Sequence, residues 1–351
     1  MKTQRLGPRL LALSSFTLIL LLISPSTWAK SPFLLGVGGY ELCQHPQGVS
    51  IFPPACNGQR IPMRQALDSH LPQANSVTLW ITRDWQADWY DPAVIQAEYI
   101  NKGIEPVFLF YWFADDISPE FVTANTDAYR KDLTRFLRYL EGIPGPKKVI
   151  FDPEFNQQGV ESWPEYNDFL IENMRRAKAV KDTQVSFCIG DFGVYSTVND
   201  THNFSTFDAS IRRAAKVADF ISFQEMRAIT RNSDTDIRLT PERTLAFARH
   251  LHQTYQKPTY LTYLAVSSMG PNGLARQEEV FQGFADRLSS FQNEAGLIGF
   301  SAFHYTDIPH HQGYFGDAEA FFGVVDKNGH PKPALKGLQN IAKAAGLPST
   351  R

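Results

Sequence analysis

A short segment of the sequence, VIFDPEFNQQG at 149–159, joins an apolar run to groups that can move protons. The run leads directly into Asp152 and Glu154, and the amide of Asn156 follows two positions later. A carboxyl group can donate a proton to a leaving oxygen, and a second carboxylate nearby raises its pKa towards the value that an acid needs. The segment is therefore either a strand that runs into a polar loop or the floor of a catalytic site.

The elements that would position these groups are visible as apolar runs. The runs are rich in β-branched and aromatic residues and do not alternate with polar ones, as expected for parallel strands covered on both faces. They lie at 33–39, 76–82, 106–112, 147–152, 184–190, 219–224, 258–266 and 296–303. Their starts are 30 to 43 residues apart, which is about the length of chain that a strand–helix unit needs.

Helical patterns fill the gaps between the runs. Apolar residues fall on one helical face at 125–140 and again at 164–180, and Thr240 followed by proline predicts a helix start with Thr240 as the N-cap. Eight such units predict a single-domain (β/α)8 TIM barrel. The alternative is an open, doubly wound sheet, but GVGGY at 36–40 lacks the glycine spacing of a dinucleotide site.

The N-terminus has the layout of a secretory signal peptide. Three basic residues precede an apolar stretch at 10–23, and small residues lead to a predicted cleavage after Ala29. An uncleaved anchor is the alternative, although the stretch is short against the roughly 20 residues that span a bilayer. We predict a leader at 1–29 and a secreted or periplasmic barrel at 30–351 that is not inserted in the membrane.

Export makes a disulfide between Cys43 and Cys56 plausible, since both lie in one loop rich in proline and glycine. Two unpaired thiols are the alternative. Cys188 lies inside an apolar run and is predicted to be a buried free thiol without a role as a nucleophile.

The composition gives no support for nucleic-acid binding. The 351-residue chain has a net charge of −2, and cleavage of the leader would remove three further positive charges. No phosphate-binding loop stands out, and His304, His310 and His311 fit a polar loop better than a metal site. We expect no metal, no cofactor and a monomeric protein.

The active site of a (β/α)8 barrel lies at the carboxyl ends of its strands. The residues that follow the runs are rich in carboxylates, amides and aromatic rings, which hydrogen-bond the hydroxyls of sugars or stack on their C–H faces. The candidate substrate-binding residues are Arg83, Asp84, Trp112, Asn156, Asp191, Gln224, Tyr263, His304 and Tyr305.

Cleavage of a glycosidic bond usually needs two carboxyl groups. Glu154 is the candidate proton donor, Glu225 at the mouth of the sixth strand is its predicted partner, and Asp152 is predicted to tune Glu154. Asp191 is the reserve for the second carboxylate. Both glutamates have a simpler interpretation: Glu154 caps the next helix, or Glu225 forms an ion pair with Arg227 or Arg231.

The chain resembles glycoside hydrolases with a TIM barrel. FGVVD at 322–326 followed by GHPKPA at 329–334 resembles the last strand-to-helix segment of retaining glycosidases in the cellulase-like superfamily. That superfamily ends its fourth strand in Asn-Glu-Pro, whereas Asp-Pro-Glu at 152–154 matches the Asp-x-Glu of chitinase-like barrels. Either resemblance implies that Glu154 is the acid.

Both resemblances have a departure. The cellulase-like superfamily carries a nucleophilic glutamate at the end of strand 7, and the segment at 260–265 has no carboxylate. Chitinase-like barrels use the N-acetyl group of the substrate instead, but their acidic run before Asp-x-Glu is replaced here by VIF at 149–151. Barrels similar to α-galactosidases and to polygalactosamine-cleaving enzymes use strands 4 and 6, which implies Glu225.

These patterns predict an exported glycoside hydrolase that cleaves a polysaccharide or oligosaccharide by carboxylate acid/base catalysis. The alternative is a non-catalytic, glycan-binding barrel involved in handling cell-envelope polymers or exopolysaccharide, which the missing strand-7 glutamate favours.

Overall fold

The structure of the chain is a computed structural model. It describes residues 33–39, 41–45, 48–51, 58–190, 195–196, 201–202, 204–309 and 311–348. The predicted leader at 1–29 lies outside these residues, as do Cys56, Asp191 and His310.

Eight parallel strands close into a barrel in chain order, so the prediction of a (β/α)8 fold is confirmed. The strands are Leu34–Gly38 (β1), Ser76–Thr82 (β2), Glu105–Tyr111 (β3), Lys147–Phe151 (β4), Thr183–Ile189 (β5), Ile221–Arg227 (β6), Thr259–Val266 (β7) and Leu297–Ala302 (β8). Each of the eight predicted runs contributes one of them. The barrel closes where β8 pairs with β1.

The alternation of side chains divides the core into two parts. The larger apolar cluster, with Leu79, Phe108 and Phe223 among its members, packs between the strands and the helices. A smaller cluster that includes Leu109 and Ile150 fills the inside of the barrel. The barrel is therefore a packed support for whatever lies at its ends, and it is not a pore.

Helices cover the outside of the barrel. The α-helices are Met63–His70, Pro92–Val94, Pro119–Glu141, Tyr166–Lys178, Asp208–Ile211, Asp234–Arg238, Thr240–Tyr255, Gly273–Asp286, Leu288–Glu294 and Ala334–Ala344. Short 3₁₀ segments lie at Ile100–Lys102, Ala114–Asp116, Val160–Ser162, Ala214–Lys216 and Gly316–Phe321, and a π-helical turn lies at Ile95–Tyr99. No helix in the described part of the chain is long and apolar enough to cross a membrane.

Two predicted helices are confirmed with shifted ends. The first extends to Pro119 because Ser118 caps it, accepting a hydrogen bond from the amide of Phe121 at 3.1 Å. The prediction of Thr240 as an N-cap was wrong. Thr240 is the first helical residue, and its hydroxyl donates to the carbonyl of Ile237 at 2.7 Å, because a short helix runs directly into this one.

Small sheets lie outside the eight-stranded barrel. Glu41–His45 pairs with Gly48–Ile51 and with Gln59–Pro62, Tyr195–Ser196 pairs with Thr201–His202, and His304–Thr306 pairs with Gly323–Val325. The pairing of Cys43 with Cys56 stays a prediction, since Cys56 lies outside the described residues. Cys188 is a buried free thiol on β5, and burial raises its pKa, as its apolar run predicted.

Candidate active site

Glu154 lies just beyond β4, at the carboxyl ends of the strands. Asp152 and Glu154 both have left-handed backbones, with φ of 46° and 66°. The amide of Glu154 donates to the carbonyl of Cys188 at 3.2 Å, which anchors the loop to β5. The hydroxyl of Tyr263 on β7 donates to Oε1 of Glu154 at 2.6 Å. The carboxyl is therefore half-buried and held from across the barrel mouth.

Aromatic rings surround this carboxyl. The ring of Trp80 on β2 lies 5.4 Å from the rings of both Tyr111 and Tyr263 and 5.7 Å from that of Phe303, measured between centroids. Tyr263 and Phe303 are 4.9 Å apart. Trp80 keeps part of its surface exposed. The mouth of the barrel thus combines one acidic group with apolar faces of the kind that stack on sugar rings.

Tyr111, at the end of β3, lies near Glu154 and binds a second carboxylate. Its hydroxyl donates to Oδ1 of Asp115 at 2.6 Å. Burial raises the pKa of Tyr111, and the negative charges of Glu154 and Asp115 raise it further. The phenol therefore stays protonated and acts as a hydrogen-bond donor to Asp115.

Asp152 points away from the mouth. Its two carboxyl oxygens accept hydrogen bonds from Tyr129 at 3.1 Å and from Tyr166 at 2.8 Å, two tyrosines that belong to the covering helices. Burial raises the pKa of Asp152 to about 7, although both hydrogen bonds oppose the shift. The side chain fixes the end of β4 to the helical layer, and its predicted role in tuning Glu154 stays a prediction.

Asn156 is buried and ties two loops together. Its Nδ2 donates to the carbonyl of Gly190 at 2.8 Å, and its Oδ1 accepts from the amide of Gly190 at 2.7 Å. This pair of bonds joins the loop after β4 to the end of β5. Asn156 therefore supports the position of Glu154, and its predicted contact with substrate stays a prediction.

Glu225 is not brought to the face that Glu154 occupies. A register shift after Phe223 aligns Gln224 with Tyr263, which faces the mouth, and aligns Glu225 with Leu264, which packs towards the helices. Glu225 has no exposed surface, and its Oε2 lies 3.0 Å from the guanidinium of Arg227. The ion pair that was the alternative to a catalytic role for Glu225 is therefore present. The predicted catalytic role of Glu225 stays untested.

Two of the predicted aromatic binding residues belong to the core. Trp112 is buried and donates from its indole nitrogen to Asp132 at 2.8 Å. Tyr305 is buried, and its hydroxyl lies 2.5 Å from Nδ1 of His70 on the first helix. Both rings therefore pack under helices, because the side-chain alternation at these positions points outwards.

Arg83 and Asp84 lie on the exposed rim after β2. The guanidinium of Arg83 donates to the carbonyls of Trp112 and Phe113, each at 3.3 Å, and Asp84 accepts from Thr82 at 2.5 Å. These contacts brace the loops that follow β2 and β3.

Gln224 and His304 are buried on the mouth side of the barrel. Neither side-chain polar atom of Gln224 has a hydrogen-bond partner among the described residues, and neither has Nδ1 of His304. The imidazole stacks on Phe303 with 3.9 Å between centroids, and burial lowers its pKa well below the usual value. His304 is therefore neutral. Asp191, the remaining candidate, lies outside the described residues.

Trp80 belongs to the mouth and is not among the residues predicted from the sequence. The signal was present, since SVTLWIT at 76–82 places Ser76, Thr78 and Trp80 on one face and apolar residues on the other. Among the described residues, no three His, Cys, Asp or Glu side chains form a group that could hold a metal ion.

The fold is shared with solved glycoside hydrolases. A family GH5_18 protein from Bifidobacterium longum subsp. longum is 14% identical over 89% of this chain and 79% of its own, with a TM-score of 0.59. A GH2 β-galacturonidase from Eisenbergiella tayi is 13% identical over 90% of this chain and 51% of its own, with a TM-score of 0.60. A family 17 β-1,3-glucanosyltransferase from Rhizomucor miehei is 13% identical over 86% and 96%, with a TM-score of 0.52.

At these identities the likeness establishes the class of fold, a TIM barrel of the kind that glycoside hydrolases use. No protein-family model and no curated protein matches the chain in sequence.

Proposed function

We propose that the chain is an exported glycoside hydrolase acting on a polysaccharide or oligosaccharide, with Glu154 as the proton donor. The observation that carries the proposal is the 2.6 Å hydrogen bond between Tyr263 and Glu154 at a mouth lined by aromatic rings. It fixes one oxygen of the carboxyl at the barrel mouth, where the protonated group would meet the leaving oxygen of a bound sugar. General acid catalysis of this kind contributes typically 10²–10⁴-fold.

The surrounding groups fit a sugar substrate. Trp80 offers a partly exposed ring beside Glu154, and the rings of Tyr111 and Phe303 restrict access from the sides. One structural neighbour, a GH5_18 protein, was solved in complex with Manβ1-4GlcNAc. A carbohydrate bound at the same end of this barrel would place its glycosidic oxygen next to Glu154.

The test is the release of reducing ends from a panel of polysaccharides, including N-acetylated polymers. Glu154→Gln keeps the shape of the side chain and removes the acid, so kcat is expected to fall about 10²–10⁴-fold. Glu165→Gln changes an exposed glutamate nearby and is the matched control, expected to behave like the wild type. Equal activity of Glu154→Gln and the wild type would contradict the proposal.

A specific observation favours a second function, a non-catalytic barrel that binds glycans. Glu225 is engaged by Arg227, and β7 carries no carboxylate, so these two strand ends show no second carboxylate facing Glu154. Retardation of the protein in gels containing a polysaccharide, with no release of reducing ends from that polymer, would favour binding.

A further inference from the structure

Asp115 lies on the rim next to the candidate acid. It belongs to the short 3₁₀ turn Ala114–Asp116 that follows β3, and its side chain is exposed. Ala114 has a left-handed backbone, with φ of 50°, which turns the chain immediately before Asp115. The hydroxyl of Tyr111 then holds Oδ1 of Asp115 at 2.6 Å. The carboxylate is therefore positioned by a half-buried donor on one side and open to water on the other.

The loop that carries Asp115 is tied to the loop that carries Glu154. The amide of Gln158, four residues after Glu154, donates from Nε2 to the carbonyl of Asp115 at 2.5 Å. Gln158 also has a left-handed backbone, with φ of 52°. Because each loop leaves a neighbouring strand of the barrel, this bond fixes the two acidic residues relative to each other.

Tyr111 faces both carboxylates. Its hydroxyl donates to Asp115, and its ring lies 5.4 Å from that of Trp80, as does the ring of Tyr263, which donates to Glu154. Inverting glycosidases hold a water molecule between carboxyl groups that are roughly 6.5–9.5 Å apart.

Three buried carboxylates in the described part of this barrel end are engaged elsewhere. Glu225 pairs with Arg227, and Asp152 accepts from two tyrosines of the helical layer. Glu319 accepts from the amide of Phe315 at 2.9 Å and lies 3.2 Å from Nε2 of His311, so it holds its own loop.

We propose that Asp115 is the second catalytic carboxylate, the base that activates water opposite Glu154. This assignment rests on the proposed glycosidase function. Asp115 takes a proton from water while the water oxygen forms a bond to the anomeric carbon. The bond from that carbon to the glycosidic oxygen breaks, and Glu154 gives its proton to the leaving oxygen. The sugar is released with inverted anomeric configuration, and Tyr111 and Gln158 are positioning residues.

The experiment compares Asp115→Asn with Asp116→Asn on a polymer that the wild type cleaves. Asp116 is the adjacent exposed aspartate, and its Oδ2 lies 3.4 Å from the guanidinium of Arg83. Asp116→Asn removes the same charge from the same turn. We expect Asp115→Asn to lower kcat at least about 10²-fold with little change in KM, and Asp116→Asn to stay within about threefold of the wild type. Proton NMR of the first wild-type product should show the inverted anomer.

Azide provides a readout that a purely structural role would not give. In Asp115→Ala, azide is an anionic nucleophile that needs no base, so it should restore turnover and yield a glycosyl azide of inverted configuration. Undiminished activity of Asp115→Asn, a retained anomer from the wild type, or no rescue of a folded Asp115→Ala would overturn the assignment. If Asp115 fails one of these tests but Glu154→Gln is inactive in the same series, the proposed glycosidase function survives and only the assignment of Asp115 is lost. A wild type that cleaves no polymer overturns both.

Discussion

Asp152 makes the stability of the protein depend on pH in a direction opposite to that of most carboxylates. Its pKa is raised from 3.8 to about 7 by burial. Between about pH 4 and pH 7 the folded protein therefore keeps a proton that the unfolded chain releases, and the free energy of unfolding falls as pH rises through this window. A shift of about three pKa units corresponds to about 4 kcal/mol.

The substitution Asp152→Asn removes this dependence while keeping the size of the side chain. Its amide can still bond to Tyr129 and Tyr166, since a phenol oxygen also accepts hydrogen bonds. Relative to the wild type, the variant should gain about 4 kcal/mol between pH 4 and pH 8, because only the wild type loses its buried proton.

The assay is urea-induced unfolding of both proteins at pH 4, 5.5 and 8, with the free energy of unfolding extrapolated to water. Asp127→Asn, on a fully exposed side chain of the helix that carries Tyr129, controls for the loss of one negative charge. A difference between Asp152→Asn and the wild type that stays constant within about 1 kcal/mol across this range would refute the reasoning.

Two further predictions concern the support of Glu154. Tyr263→Phe removes the hydrogen bond to Glu154, which becomes negatively charged as it gives up its proton in the transition state. A hydrogen bond to a charged group is worth about 1.5–3 kcal/mol, so kcat should fall roughly 10- to 150-fold with KM nearly unchanged. Steady-state kinetics on the cleaved polymer check this, and a change confined to KM would contradict it. Asn156→Ala removes both side-chain partners of the buried amide and carbonyl of Gly190. The free energy of unfolding should therefore fall by about 2–4 kcal/mol in a urea titration at pH 7. A loss below about 0.5 kcal/mol would show that water replaces the side chain.

The barrel could be predicted from the sequence because its strands are covered on both faces. Such strands appear as unbroken apolar runs, and their spacing of 30 to 43 residues leaves room for one helix in each gap. The position of Glu154 at the barrel mouth followed from the same pattern, since it stands two residues after the predicted end of a strand.

The orientation of individual side chains could not be predicted. Glu225 faces the helices because it lies two residues after Phe223, on the same side of β6, whereas its place just after an apolar run does not show whether that alternation continues. Trp112 and Tyr305 follow predicted strand ends, where a ring can face the mouth, but in the structure both rings are buried under helices. The hydrogen bonds from Tyr111 and Gln158 to Asp115 depend on loop residues with positive φ, and the residue types at those positions do not predict that conformation.

The left-handed backbones at Asp152 and Glu154 set a limit on how stable this protein can become. A residue with a Cβ pays roughly 1–2 kcal/mol for that conformation, and glycine or asparagine would relieve it. Selection for heat resistance alone would therefore favour replacing both acids. Gln158 on the same loop has a left-handed backbone as well, so the strain is concentrated around the candidate site, and engineering for robustness should begin in the helical layer.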